Sequence, residues 1–224
     1  MFDSLKLGEL PKRQCGVLRR ASNTRPTIWC IEEKGVRAIV KDFSANKFFF
    51  RNTFGRFLVW REAKAYKKLR NLKGVPALYR VINGLALVIQ EIPGIDMGEA
   101  EKTKGLPEGF FDELTEVVDR FHERGLAHCD LKRAANILIG KDGSPYVIDW
   151  GAAIFRNGYR IPPLNLIYKR FVQDDYDAIT KRKLCWSPEL VSPEERAICD
   201  HRSGFEKSIR AMRDRLRGFL QKIA

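Results

Sequence analysis

The sequence predicts an α+β fold in two lobes, the first rich in β-strand and the second helical. Three observations point to it. Short β-like runs separated by turn signals occupy much of the first ninety or so residues. A helical apolar period dominates later, with Phe110, Leu114, Val117 and Phe121 at i, i+4, i+7 and i+11. Pro93-Gly94 punctuates the chain between the two regimes and sets a hinge at about residues 90–95. The expected organisation is one domain over residues 1–224, its first lobe ending near 92 and its second starting near 95.

Each element has a local cause. Thr27–Glu32 and Val36–Phe43 read as strands around the turn Glu33-Lys34-Gly35. From about Leu58 to Leu72 the period becomes helical, with Glu62, Ala65, Tyr66 and Leu69 on one side and basic residues between them. Gly74-Val75-Pro76 stops that helix. Leu78–Ile82 and Leu85–Gln90 meet at Asn83-Gly84, a strong hairpin signal. Asn136–Ile139 and Tyr146–Ile148 form a second hairpin around Lys141-Asp142-Gly143. Phe205, Ile209, Met212, Leu216 and Leu220 predict a tail helix with a basic outer face.

Composition narrows the function classes. A hydrophobic content of 44% supports a core, while 31% charged residues and the lack of an apolar run of ~18 exclude a membrane-embedded chain. The start MFDSLKLGEL has no basic and apolar leader pattern, so the cytoplasm is the expected compartment. Five cysteines without a CxxC spacing argue against a disulfide scaffold or a zinc site. The net charge is +13 and concentrated. Residues 41–73 hold ten basic and two acidic residues, and residues 202–224 hold seven and two. An anionic partner follows, whether nucleotide, nucleic acid, lipid headgroup or phosphorylated sugar.

The chemistry concentrates in His128-Cys129-Asp130-Leu131-Lys132-Arg133-Ala134-Ala135-Asn136-Ile137-Leu138-Ile139, with Asp149-Trp150-Gly151 beginning thirteen residues after Asn136. Phosphoryl transfer needs a carboxylate to orient or deprotonate the attacking hydroxyl, and oxygen ligands for Mg²⁺ on the nucleotide phosphates. Asp130 fits the first need; Asn136 and Asp149, returned to one another by the hairpin, fit the second. Lys132 and Arg133 are both placed to screen the moving charge.

These H-x-D…N and D-x-G elements resemble the protein-kinase-like superfamily. Among its branches the chain looks most like short bacterial RIO-like kinases and lipopolysaccharide core (Kdo/heptose) kinases. The resemblance covers roughly residues 27–151 and implies a two-lobed protein-kinase-like fold with a reduced helical second lobe. Ala38-Ile39-Val40-Lys41 looks like the strand whose Lys holds the nucleotide phosphates, and Glu62 like its ion-pair partner. Leu87-Val88-Ile89-Gln90-Glu91-Ile92-Pro93-Gly94 resembles the hinge, where the Gln90 carbonyl and the Ile92 amide would meet the adenine edge.

Three departures from the family pattern stand out. No G-x-G-x-x-G precedes Lys41, so a polar turn at Ala21–Arg25, with Ser22, Asn23 and Thr24 as donors, is the candidate phosphate cover. Asn136 follows Asp130 by six residues where protein kinases have five, which leaves open whether Lys132 or Arg133 takes the usual Lys role. Nothing after Gly151 resembles an A-P-E segment, so the peptide-docking subdomains are expected to be missing.

Other residues invite plainer readings. His128 and His122 read as loop-holding rather than catalytic, and Cys129 as a small half-buried residue. Asp174, Asp175 and Asp177 read as a helix N-terminal acidic turn rather than a metal cluster. Phe43–Trp60 interleaves seven aromatics with cations, as core beneath a helix or as a membrane or nucleic-acid contact.

The expected activity is ATP- and Mg²⁺-dependent phosphoryl transfer to a hydroxyl by a monomer. The favoured acceptor is an inner-core lipopolysaccharide sugar at the cytoplasmic membrane face. The alternative is a RIO-like serine/threonine kinase or ATPase acting on a protein or ribosome-associated partner.

Overall fold

The computed structural model describes residues 2–200 apart from 104, 159, 160 and 163, so the expected tail helix lies outside the described residues. Two compact units emerge. Among the described residues, one holds the chain up to Lys64 together with Ala77–Glu91; the other holds Ala65–Pro76 and residues 92–200.

The first unit is built on five antiparallel strands. A short helix α1 (Leu10–Arg13) leads into β1 (Gln14–Arg19), β2 (Thr27–Glu33) and β3 (Val36–Asp42). A helical turn α2 (Phe48–Phe50) and a π turn (Arg51–Gly55) run into α3 (Arg56–Lys68), whose last residues belong to the second unit. Next come β4 (Leu78–Ile82) and β5 (Ala86–Gln90), and the sheet order is β1-β2-β3-β5-β4. Both predicted hairpins form for the same reason. Lys34 and Gly35, and likewise Asn83 and Gly84, take positive φ, which gives turns whose twist matches the strands they join.

Period-two alternation in β3 sends Ala38 and Val40 to one face and Lys41 to the other. The first face packs with Ile31, Ile82, Ala86 and Val88, and is covered by Phe2, Leu5 and Leu10. Each fully buried side chain of this size contributes roughly 1.5–3 kcal/mol. The segment Phe2–Leu10 shows no period in the sequence, so its role as a cover for the sheet emerges only in three dimensions. Phe43 and Phe50 join the buried residues, whereas Phe48, Phe49, Phe57 and Trp60 stay exposed. The aromatic segment is therefore divided between core and surface.

The second unit contains β6 (Gly94–Asp96), α4 (Met97–Thr103), α5 (Phe110–Glu123), β7 (Leu126–Ala127), β8 (Ile137–Gly140), β9 (Pro145–Val147), β10 (Ile154–Phe155), α6 (Leu164–Trp186) and α7 (Pro193–Asp200). Strands β6, β8 and β9 form one small sheet, and β7 pairs with β10. Gly94 has no alternative here, because a Cβ would collide with the Ile139 carbonyl oxygen. Helix α5 buries Phe110, Phe111, Leu114, Val117, Val118 and Phe121, the periodic residues of the sequence plus two neighbours. Phe121 stacks edge-on against buried Trp150, with ring centroids 5.0 Å apart.

The acidic run at 174–177 corrects the sequence reading. It lies in the middle of α6, which begins ten residues earlier at Leu164. In the sequence Pro162 and Pro163 directly precede Leu164, and neither is a side-chain capping type. No helix among the described residues is long and apolar enough to cross a membrane.

Candidate active site

The loop between β7 and β8 carries the predicted acid–base residue and is fixed from three sides. Asp175, 1% exposed on α6, accepts hydrogen bonds from the backbone amides of His128 (2.7 Å) and Cys129 (2.9 Å). The same carboxylate lies 3.1 Å from His122 Nε2 on α5. His128 is fully buried; its Nε2 donates to the Ile148 carbonyl (2.9 Å), leaving Nδ1 to accept from the Asp130 amide (3.2 Å). Cys129 and Asp149 both sit at positive φ, 68° and 66°. Non-glycine residues in that region cost about 1–3 kcal/mol each and persist where surrounding contacts fix them.

The six-residue step from Asp130 to Asn136 has a simple geometry. Two tight turns follow one another, Arg133 N to Asp130 O (3.2 Å) and Asn136 N to Arg133 O (2.9 Å). The second turn returns the Asn136 side chain to Asp130, where Nδ2 donates to the backbone oxygen (2.9 Å) and to Oδ2 (3.3 Å). Beyond it, β8 and β9 pair Ile137 with Val147, and the Ile148 amide donates to the Asn136 carbonyl (3.0 Å). Asp149 follows immediately. Burial raises the Asp130 pKa above its ordinary value, and the nearby Asp149 charge raises it further; Arg133 and the Asn136 hydrogen bond pull it back.

Both candidate cations meet acidic partners. Arg133 Nη1 lies 3.5 Å from Asp130 Oδ2, while Lys132 Nζ lies 3.7 Å from Asp174 Oδ1. Asp174 also pairs with Arg170 at 3.1 Å. Arg133 thus pairs with the Asp130 carboxylate.

In the first unit, Lys41 lies on the central strand opposite Ile28 and Leu87. Its Nζ is 2.6 Å from Glu62 Oε1 on α3, with the two side chains 14% and 7% exposed. A lysine so enclosed needs a partner, and the Glu62 carboxylate supplies it. Gln90 ends β5, and its side-chain oxygen accepts from the Ala77 amide (3.1 Å). Ile92 follows two residues later and is half-buried. At the candidate phosphate cover, Ser22 and Arg25 exchange both backbone hydrogen bonds (3.2 and 3.0 Å). The Ser22 amide is therefore committed within the turn. Asn46, which is buried, directs Nδ2 at the carbonyls of Ser22, Asn23 and Arg25 (2.8, 3.1 and 3.1 Å).

The family model of the RIO domain matches residues 37–158, which is more than half of the chain and takes in Lys41, Glu62, Asp130, Asn136 and Asp149. The chain belongs to the RIO domain family. Its RIO domain is also similar to curated kinases. The serine/threonine-protein kinase PknD of Chlamydia trachomatis (serovar D) is 37% identical over 97 residues, 38% of this chain and 9% of that kinase. PknD of Chlamydia muridarum is 30% identical over 81 residues, 36% and 8% of the respective chains. The serine/threonine-protein kinase kin-29 of Caenorhabditis briggsae is 33% identical over 84 residues, 35% and 10%. The chain spans about a tenth of the length of the curated relatives it matches. The RIO domain match supports the RIO-like side of the sequence resemblance; the lipopolysaccharide core kinase branch gains no support from it.

Two residues of this site escaped the sequence reading. Asp175 was noted only as part of an acidic run, because nothing local distinguishes it from Asp174 or Asp177. Its partners lie 46 and 47 residues away along the chain. Asn46 had even less signal, a lone polar residue between Ala45 and Lys47.

Proposed function

We propose that this RIO domain is an ATP-dependent protein kinase that transfers a phosphoryl group to a serine or threonine hydroxyl. The observation that carries the reading is the Asp130 carboxylate, fixed by Asn136, paired with Arg133 and set on a loop whose amides Asp175 holds. Asp130 orients the hydroxyl and accepts its proton as the new P–O bond forms. Arg133 screens the negative charge moving toward the acceptor. Lys41, kept in place by Glu62, is assigned to the nucleotide phosphates, and Gln90 with Ile92 to the adenine edge.

The donors present suit Mg²⁺. Asn136 and Asp149 offer hard oxygen ligands, and Asp149 already raises the Asp130 pKa, the mark of negative charge that a cation would offset. No group of three or more His, Cys, Asp or Glu side chains able to hold a metal occurs among the described residues, and Mg²⁺ commonly uses one or two carboxylates plus phosphates and water. When bound, the ion neutralises phosphate charge.

The relatives named serine/threonine kinases favour a protein hydroxyl over a lipopolysaccharide sugar. The test is transfer from radiolabelled Mg·ATP to a generic serine/threonine protein acceptor, run beside a lipopolysaccharide core acceptor. Label on protein, lost in Asp149→Asn with the thermal midpoint kept, is the expected result. Label on the sugar alone, or undiminished transfer by the variant, overturns the reading.

A further inference from the structure

Cys15 and Cys30 lie in the first unit, apart from every residue assigned to phosphoryl transfer. β1 pairs with β2 through Gln14↔Ile31 and Gly16↔Cys30, with a register shift between Gln14 and Gly16. Cys15 is the extra residue of that bulge, which sets two residues of β1 against one of β2. The result is a Sγ–Sγ separation of 2.8 Å between two free cysteines. A disulfide needs roughly 2.05 Å, so a shift below about 1 Å would bond them.

The two sulfurs have different surroundings. Cys15 is exposed to solvent, whereas Cys30 is 3% exposed. Arg37 Nη2 lies 3.1 Å from Cys30 Sγ and Glu91 Oε2 lies 3.4 Å from it. Arg37 and Glu91 in turn pair at 2.9 Å. Burial pushes the Cys30 thiol up to about 11, so it keeps its proton at neutral pH, while Arg37 opposes the shift. Solvent access therefore makes Cys15 the point of first attack, and Cys30 the sulfur that closes the bond.

We propose that Cys15 and Cys30 form a reversible modification site, a dithiol that a peroxide oxidises to an intramolecular disulfide. The Cys15 thiolate attacks one peroxide oxygen; an S–O bond forms, the O–O bond breaks, and hydroxide leaves to become water. The Cys30 sulfur then attacks the Cys15 sulfenic acid. The S–S bond forms, the S–O bond breaks, and the departing hydroxide takes the Cys30 proton as a second water. Two thiols lose two electrons in all, and the peroxide gains them. The closed ring spans residues 15–30 and so includes the Ala21–Arg25 turn. It also removes the Cys30 S–H that faces Glu91, the residue after Gln90. Oxidation thus reaches two places that the nucleotide assignment uses, although the bond itself needs no nucleotide to form.

The experiment treats the reduced protein with hydrogen peroxide, blocks remaining thiols with iodoacetamide and maps the peptides by mass. A Cys15–Cys30 linked peptide is expected, with an intact mass about 2 Da lower before blocking. The protein should stay monomeric on a non-reducing gel, melt several degrees higher and return to the starting state with dithiothreitol. Because Cys30 is buried and its replacement could unfold the sheet, Cys15→Ser is the variant to read. It should melt like the reduced wild type and show no rise with peroxide. If Cys30 stays alkylatable while Cys15 is over-oxidised, or if bonds form only between molecules, the proposal is overturned.

Discussion

Asp130 faces opposing demands on one carboxylate. Its folded pKa lies above the ordinary aspartate value because burial disfavours the charge and Asp149 adds repulsion. A raised acid pKa means that the unfolded chain ionises first as pH rises. Stability from this group is therefore intact below the ordinary aspartate pKa and lost as pH climbs through the folded pKa. The charged form works against the fold, and it is the form that the proposed base role requires. Asp130→Asn should lower turnover ~10²–10⁴-fold while leaving the thermal midpoint equal or higher. Turnover and melting curves check both halves, and a lower midpoint would mean that the carboxylate is structural. The neighbouring cations divide in the same way. Arg133 touches Asp130, whereas Lys132 touches Asp174, so Arg133→Ala should slow transfer much more than Lys132→Ala. Side-by-side kcat values decide, and equal losses would remove Arg133 from the assigned role.

At the scale of elements, the link between α6 and the loop after β7 rests on one buried side chain. Asp175→Ala leaves the His128 and Cys129 amides without their acceptor. At about 1–3 kcal/mol for each unsatisfied group, a destabilisation of roughly 2–6 kcal/mol is expected. The loop that carries Asp130, the proposed base, should loosen with it, so kcat falls while the KM for ATP changes little. Asp175→Asn retains one side-chain oxygen acceptor and should fall between wild type and Ala. Denaturant melts with steady-state kinetics measure this, and a change confined to the ATP KM would contradict it. The elements themselves were legible where pattern is local. Both hairpins of the first unit and α5 follow from turn chemistry and apolar period. Helix α6 was not, because its buried residues include Asp175, Asp177 and Thr180, which no hydrophobic period marks.

Over the whole molecule, charge is the property with reach. A net charge of +13 produces a field that favours anionic partners and weakens with salt, since screening acts over ~8–10 Å. Lys47 and Arg56 are exposed within the basic first region, next to exposed Phe48, Phe49 and Phe57. Replacing both by Glu should lower the salt needed to elute the protein from heparin and leave its thermal midpoint unchanged. An unaltered elution position would show that the anionic contact lies elsewhere on the chain.

The sequence by itself determined the α+β character and the intervals of the Asp130, Asn136, Asp149 series, because each depends on spacing within a strand, helix or hairpin. Local physics sets those distances, so residue types and intervals suffice. Lys41 and Glu62, 21 residues apart on a strand and a helix, are paired in the sequence only by resemblance to the protein-kinase-like pattern. Only the tertiary structure decided that Phe2–Leu10 covers a sheet face and that Arg133 pairs with Asp130. The same holds for Asp175, which anchors the loop, and for Cys15, which lies against Cys30. Each of these depends on contacts between distant segments or on a bulge that shifts register, and neither leaves a period in the chain. Burial then gives such contacts their weight, since a polar group removed from water must find its partner wherever the fold supplies one.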